Sequence, residues 1–210
     1  MTRIISRSLI FLIGAFILRS CIFAQSLEPF PHGLALEFGG GQNDLYWSGN
    51  GPRGPFGFTP LNRTDFHLTP NIRFTYETQL TNRFALLPFL GYNQFGGTSN
   101  QDGYLSQYSF HALELGFVGL YKIANVSFGA GFKEKLNLYV QYDEPRPLVH
   151  DDYTKLFPTW SDNLGIRTSY CVDPITFSIE SWFGMSNLAT FPASTTVREN
   201  HYRIFVAYTL

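Results

Sequence analysis

The chain has 210 residues, with 15 Lys plus Arg against 16 Asp plus Glu and an aromatic content of 17%. Charged residues make up only 15%, against about 25% in a typical soluble domain, so a fully water-exposed surface is hard to build from this composition. A balanced charge without a basic patch excludes a nucleic-acid footprint, and beyond the N-terminus no stretch approaches the roughly 20 apolar residues of a membrane-spanning helix.

The N-terminus reads MTRIISRSLIFLIGAFILRSCIFAQS, with Arg3 and Arg7 ahead of an apolar run from Leu9 to Leu18 and small Ala24 shortly after. That run is too short to cross a bilayer and suits the core of a secretory signal, which predicts export and cleavage after Ala24. Residues 1–24 are therefore expected to be a signal peptide and 25–210 one domain with a sizeable core, because no composition break or linker divides them. Two other readings stay open: a buried N-terminal strand or helix, and a lipoprotein-like signal in which Leu18, Arg19 and Ser20 precede a lipidated Cys21. Removal of 1–24 takes Arg3, Arg7 and Arg19 but no acid, leaving twelve bases against sixteen acids. Cys171 is then the only cysteine, so an internal disulfide is ruled out for the exported form.

From residue 34 onward the recurring signal is alternation at period two, broken by turn residues. It predicts strands near 34–41, 71–80, 84–95, 108–122, 126–142, 163–172, 175–185 and 199–210, an even number. Their connections alternate in length. Thr81 to Arg83, Ala124–Asn125 and Asp173–Pro174 are tight, whereas 42–70, 96–107, 143–162 and 186–198 are long and rich in Gly, Pro, Asn and Asp. Segregation of short and long connections to opposite ends is expected of an up-and-down barrel in an outer membrane, with both termini on the short-turn side.

Each strand carries an apolar and a polar face. Ile72, Phe74, Tyr76 and Leu80 oppose Asn71, Arg73, Thr75, Glu77 and Gln79. Val126, Phe128, Ala130, Phe132, Leu136, Leu138 and Val140 oppose Ser127, Lys133, Lys135, Asn137 and Gln141. Alternation alone does not say which face is inside, and a soluble lipocalin-like barrel with apolar residues inward and a bound hydrophobic ligand stays open. The charges favour the membrane reading. The polar faces collect Glu37, Glu77, Glu114 and Glu180 with Arg73, Lys133, Lys135, Arg167 and Arg203, and two-residue turns at 124–125 and 173–174 would set Glu114 opposite Lys135 and Glu180 opposite Arg167. Opposed charges matter most inside a narrow barrel. Gly129, Gly131, Gly165 and Gly184 share that face and leave room for long side chains, while Tyr121, Tyr142, Tyr170 and Tyr208 lie toward strand ends, where interfacial rings belong.

Three residues depart from the pattern. Pro88 lies inside the third strand, which predicts a bulge there. Glu134 falls on the apolar face. Pro174 cannot supply the positive φ of a two-residue hairpin loop, so a four-residue loop, with Glu180 opposite Ser169, is the alternative.

The chain from residue 25 resembles an eight-stranded outer-membrane β-barrel, similar in plan to the membrane domain of OmpA and to the barrel proteins of Bacteroidota. Its ending, with Tyr202, Ile204, Val206, Tyr208 and Leu210 on alternate positions, resembles the C-terminal signal read by the barrel-assembly machinery, with Leu210 where an aromatic residue is commoner. The resemblance implies insertion by that machinery into the outer membrane of a Gram-negative bacterium and brings no catalytic motif.

An eight-stranded barrel is just wide enough for side chains, so an interior filled with paired charges is expected to be no open pore. Function is then expected on the outer loops or the lipid-facing wall, as a structural or surface-interaction role that includes membership of an envelope or secretion complex, without a cofactor. Enzymatic alternatives rest on few residues. Ser109 and His111, two apart on one strand face, could serve a lipid hydrolase, and His150, Asp151 and Asp152 offer an acid and base pair in a long loop. The histidines are scattered, without metal-ligand spacing. In the first long loop Tyr46, Trp47, Phe56 and Phe58, set among glycines and prolines, are candidate contacts for a partner protein or lipopolysaccharide, or else cap the barrel or lie on the headgroups.

Overall fold

The computed structural model describes residues 33–48, 68–101, 104–145, 148–152, 157–188 and 196–210. The expected signal peptide, Cys21, Phe56 and Phe58 lie outside these residues. Ten strands form: β1 (Leu34–Ser48), β2 (Leu68–Tyr76), β3 (Thr78–Gln79), β4 (Phe84–Gln101), β5 (Tyr104–Ile123), β6 (Val126–Pro145), β7 (Leu148–Asp152), β8 (Trp160–Val172), β9 (Ile175–Gly184) and β10 (Thr196–Thr209). β3 continues the line of β2, and β7 folds back on the far end of β6. The wall runs β2, β1, β10, β9, β8, β6, β5, β4, and β4 returns to β2, closing an eight-stranded antiparallel barrel. β10 closes on β1 with Ala35 opposite Thr209, and the Leu210 N–H donates to the Leu34 carbonyl at 2.8 Å. Closure leaves the wall without an edge.

The two shortest turns set the register of the wall. Ala124 takes the positive φ of 50° that the first loop position needs, keeping Ile123 opposite Val126. The Asp173–Pro174 peptide is cis, and Val172 lies opposite Ile175. The loop is thus two residues long, and Arg167 faces Glu180. Pro88 introduces no bulge. Its pairing with Phe117 continues the β4–β5 ladder without a shift, whereas on its other side the ladder stops between Thr75–Phe89 and Thr78–Leu86, where β2 gives way to β3. The missing N–H is absorbed by a gap in the neighbouring strand, and the Glu77 N–H turns to the Gly33 carbonyl instead.

Through the middle of the wall the apolar faces point outward. Phe38, Phe74, Leu90, Leu115, Ile166, Ile179 and Ile204 are each more than half exposed. The charged faces point inward, so the apolar-inward, lipocalin-like arrangement is overturned. Among the described residues no helix is long and apolar enough to cross a membrane; this apolar belt belongs to strands.

Beyond the belt, on the long-loop side, the sense reverses. β5 and β6 are 20 residues each, about twice the 9–11 that a tilted strand needs to cross a bilayer. On that side Phe95 of β4, Phe110 of β5, Val140 of β6 and Val197 of β10 turn inward, with Leu45 from β1, and form one apolar cluster with Phe157 and Leu188 from the connections. The outward positions there become Tyr92, Gln94, His111, Tyr139 and Gln141, all partly exposed. A bulge makes this possible on β6. The register shifts between His111 and Ala112, which face Tyr139 and Asn137, so Leu138 is the extra residue. Val140, expected on the apolar outer face with Leu136 and Leu138, therefore points inward and is fully buried.

Val140→Lys should place an ammonium among Phe95, Phe110 and Phe157 and cost about 3–5 kcal/mol, the range for an uncompensated buried charge, whereas Leu138→Lys, outward beside the belt's edge, should cost about 0–1 kcal/mol. Urea unfolding of the two variants in lipid vesicles measures the difference; equal losses would place Val140 outside.

Candidate functional site: the barrel interior

Within the described residues the densest arrangement of functional side chains fills the lumen. Nearest the short-turn end, Glu37 (β1), Arg73 (β2), Arg167 (β8) and Glu180 (β9) form a closed ring of alternating charge. Arg73 donates to Glu37 through Nε and to Glu180 through both Nη atoms. Arg167 Nη2 donates to Glu37 Oε1 at 2.7 Å and Nη1 to Glu180 Oε1 at 2.7 Å. The Trp182 indole N–H adds a bond to Glu180 Oε2 at 2.7 Å. β2 and β9 are not neighbours in the wall, nor are β1 and β8. The Arg73–Glu180 and Arg167–Glu37 bonds therefore cross the lumen, and the bidentate fork of arginine suits such bridges.

A second group surrounds Glu114 on β5. It accepts from Lys133 Nζ at 2.9 Å, Asn93 Nδ2 at 3.2 Å and Asn71 Nδ2 at 3.3 Å, with Arg203 Nη1 at 3.6 Å. A third joins β6, β8 and β10: Glu199 pairs with Lys135, accepts from Asn163 Nδ2 at 3.0 Å and lies 3.2 Å from His201 Nε2. On its other edge His201 Nδ1 meets Asn43 and Arg203. All nine ionised groups in the three clusters are at most 3% exposed. Aromatic faces take up much of the remaining cationic surface, with Arg73 over Phe89 and Phe205, Lys133 over Trp182, and Lys135 3.6 Å from the Phe95 ring centre.

The structure rearranges several expected partners. Lys135 lies opposite Glu114 in the register, yet the ion pair is made by Lys133, one step down the same face. Lys135 reaches across the lumen to Glu199. Glu77 stands at the rim, half-buried and paired with Lys122, apart from the three clusters. Glu199, His201 and Asn43 were missed; Glu199 and His201 share the odd-numbered face of Arg203 in β10, a signal present in the sequence. The facing glycines have separate tasks. A Cβ on Gly165 would lie 2.3 Å from the Trp182 ring and one on Gly184 2.8 Å from Glu199 Cγ, whereas those on Gly129 and Gly131 would meet Val118. Of these four only Gly184 makes room for a charged side chain; Gly91 and Gly116 do so elsewhere, where a Cβ would lie 2.4 Å from Arg73 Cβ and 2.7 Å from Lys133 Cβ.

Above the charges, the long-loop mouth is shut by the apolar cluster. Phe95 and Phe110 stack with ring centres 4.6 Å apart, and Phe157 meets Phe110 edge-on at 4.9 Å. The segment bearing Phe157 is tied down by Asn137, whose N–H donates to the Thr159 carbonyl and whose Nδ2 donates to the Pro158 carbonyl, each at 2.8 Å. Leu188 is held by its N–H on the Val197 carbonyl at 2.8 Å.

The remaining candidate residues are spread over β1, β5, β6, β7 and β10. His111 Nδ1 is bonded to the Tyr92 hydroxyl, and Ser109 Oγ accepts from Gln107 Nε2 at 3.0 Å, so each has a partner other than its expected one. His150, Asp151 and Asp152 belong to β7, opposite Asp143 to Gln141 of β6, rather than to a loop. Tyr46 and Trp47 likewise belong to β1, opposite Arg198 and Val197. Glu134 stands outward and partly buried, opposite Leu115 and Asp162. Tyr202, Ile204, Val206 and Tyr208 line the outer face of β10, with Leu210 exposed just beyond. Among the described residues no three His, Cys, Asp or Glu side chains could hold a metal.

No protein-family model matches the chain, and no curated protein is significantly similar to it in sequence. Solved structures do share its fold. Neisserial surface protein A matches over 85% of this chain and 97% of its own, with a TM-score of 0.55 and 14% identity. Ail of Yersinia pestis, with sucrose octasulfate bound, matches over 84% and 99% at a TM-score of 0.41 and 10% identity. The outer membrane protease OmpT of Escherichia coli matches over 89% and 100% at 0.42 and 8%. The chain is thus an eight-stranded closed antiparallel barrel that resembles outer-membrane barrel proteins.

Proposed function

We propose that this protein is a non-conducting integral barrel of a Gram-negative outer membrane, non-enzymatic, with a structural or surface-interaction role carried by the part that stands beyond the bilayer. The observation that carries this reading is the filled lumen: four acids and five bases tied into three groups across the axis, beneath a mouth closed by packed phenylalanines. Moving a solute through it would strip buried charges of partners, at a cost of several kcal/mol per ion. The exposed apolar belt supports a lipid environment. In this reading the N-terminal segment is a signal peptide removed on export, and β10, with its outward Tyr202, Ile204, Val206, Tyr208 and Leu210, is what the barrel-assembly machinery engages. The outer loops, with Phe56 and Phe58, and the extended β4–β7 ribbon are then the surface offered to an envelope partner.

In the outer-membrane fraction, unboiled protein should run at a different mobility in SDS from boiled protein; a soluble protein without the shift would overturn the membrane reading. Reconstituted in planar bilayers, the barrel should give no stable unitary conductance, and reproducible ohmic steps would overturn the closed lumen. Glu180→Lys should destabilise by about 3–5 kcal/mol, because it sets a third cation against Arg73 and Arg167. Adding Arg167→Glu should recover at least about 1 kcal/mol of that loss. Urea midpoints of the single and double variants measure the coupling, and strictly additive losses would count against a shared ring.

A further inference from the structure

Three adjacent strands leave the apolar belt at one level. On β4 the outward row passes from Leu90 to Tyr92 and Gln94, on β5 from Leu113 to His111, and on β6 from Leu138 to Tyr139 and Gln141. These positions are neighbours in the ladder: Tyr92 faces Leu113, Gln94 faces His111, and His111 faces Tyr139. The rings of Tyr92, His111 and Tyr139 follow one another across the strands at 6.1 and 6.0 Å between centres. The Tyr92 hydroxyl fixes the imidazole through Nδ1. Further out, Gln141 Nε2 donates to both carboxylate oxygens of Asp143, at 2.8 and 3.0 Å. The result is a ledge of three rings continuous with the lipid-facing wall below, bordered above by the amides of Gln94 and Gln141, the latter held by Asp143.

We propose that this ledge binds the saccharide of the outer-leaflet glycolipid that packs against the belt beneath it. The inference rests on the membrane reading above and adds the ligand class. Position supplies the first argument, since a lipid whose chains lie on Leu90, Leu113 and Leu138 carries its sugar at the height of Tyr92, His111 and Tyr139. Chemistry supplies the second. Ring faces take the apolar C–H faces of a pyranose, and amide and hydroxyl groups exchange hydrogen bonds with its hydroxyls. Charge supplies the third. Residues 92–113 and 139–145 contain no Lys or Arg, and Asp143 adds a negative charge, so the ledge is set against a phosphate and suits a neutral sugar. Because His111 is already held by Tyr92 and Gln141 by Asp143, binding orders fewer new rotamers there.

The test uses the full barrel, purified in detergent and titrated with three probes: a full-core rough-type glycolipid, the same glycolipid stripped to its lipid moiety, and the full-core form after enzymatic dephosphorylation. Bound lipid is counted by native mass spectrometry. Both full-core forms should bind about five- to tenfold better than the stripped one, the effect of one or two surface hydrogen bonds. Gln94→Ala with Gln141→Ala should abolish that preference while keeping the mobility shift on boiling. Equal binding of all three probes overturns the saccharide site. Loss of binding on dephosphorylation also overturns it, assigning the contact to an anionic headgroup. Absence of the mobility shift in the unaltered protein removes the membrane reading itself, an outcome distinct from either.

Discussion

The ring of Glu37, Arg73, Glu180 and Arg167 is the constraint on which the rest of the barrel depends. Its members come from β1, β2, β9 and β8, and two of its links cross the lumen. Each guanidinium is shared between two carboxylates and each carboxylate between two guanidiniums, so losing any one leaves at least two buried charges short of a partner. A buried ion pair adds little net stability over an apolar filling of equal volume, because desolvation offsets its attraction. What it does enforce is geometry: the wall must close at the circumference and stagger that bring those four side chains together. The Glu114 and Glu199 groups repeat the arrangement further along the axis, and in each a lysine and asparagines divide the bonds.

This filling explains the division of labour along the axis. In the belt the surroundings are apolar, so the wall turns its apolar residues out and keeps its charges in. On the long-loop side water lies outside, and the ordinary rule returns, with Phe95, Phe110, Phe157, Leu188 and Val197 inside and amides outside. One barrel thus carries two hydrophobic arrangements of opposite sense, joined at the level of Tyr92, His111 and Tyr139. The bulge at Leu138 reconciles them on β6, because one extra residue changes which alternate positions point inward.

The same division locates function. Under the proposed reading, a lumen filled with three charge clusters and topped by packed phenylalanines leaves recognition to the surface. There the ring ledge and the long β4–β6 ribbon stand just beyond the apolar belt. Of the candidate enzyme residues, Ser109 is buried and His111 has its Nδ1 on the Tyr92 hydroxyl, while His150 to Asp152 pair with β6 through their backbones.

By itself the sequence determined the eight wall strands and the short turns at one end, because period-two alternation and turn signals are local; it left Glu180 opposite either Arg167 or Ser169, and the two-residue loop of the folded wall selected Arg167. Local rules also placed Glu37, Glu114 and Glu180 on one face with Arg73, Lys133, Lys135, Arg167 and Arg203, and Glu77 with them, though it stands at the rim outside the clusters. Only the tertiary structure decided which charge meets which. Lys133 rather than Lys135 serves Glu114, and Glu199 and His201 join from across the lumen, because partners on non-adjacent strands meet through the curvature and stagger of the closed wall. It also decided that Val140 points inward and that Pro88 interrupts its neighbour instead of bulging. Both depend on what lies opposite, and a single strand's pattern of alternation holds no record of the strand beside it.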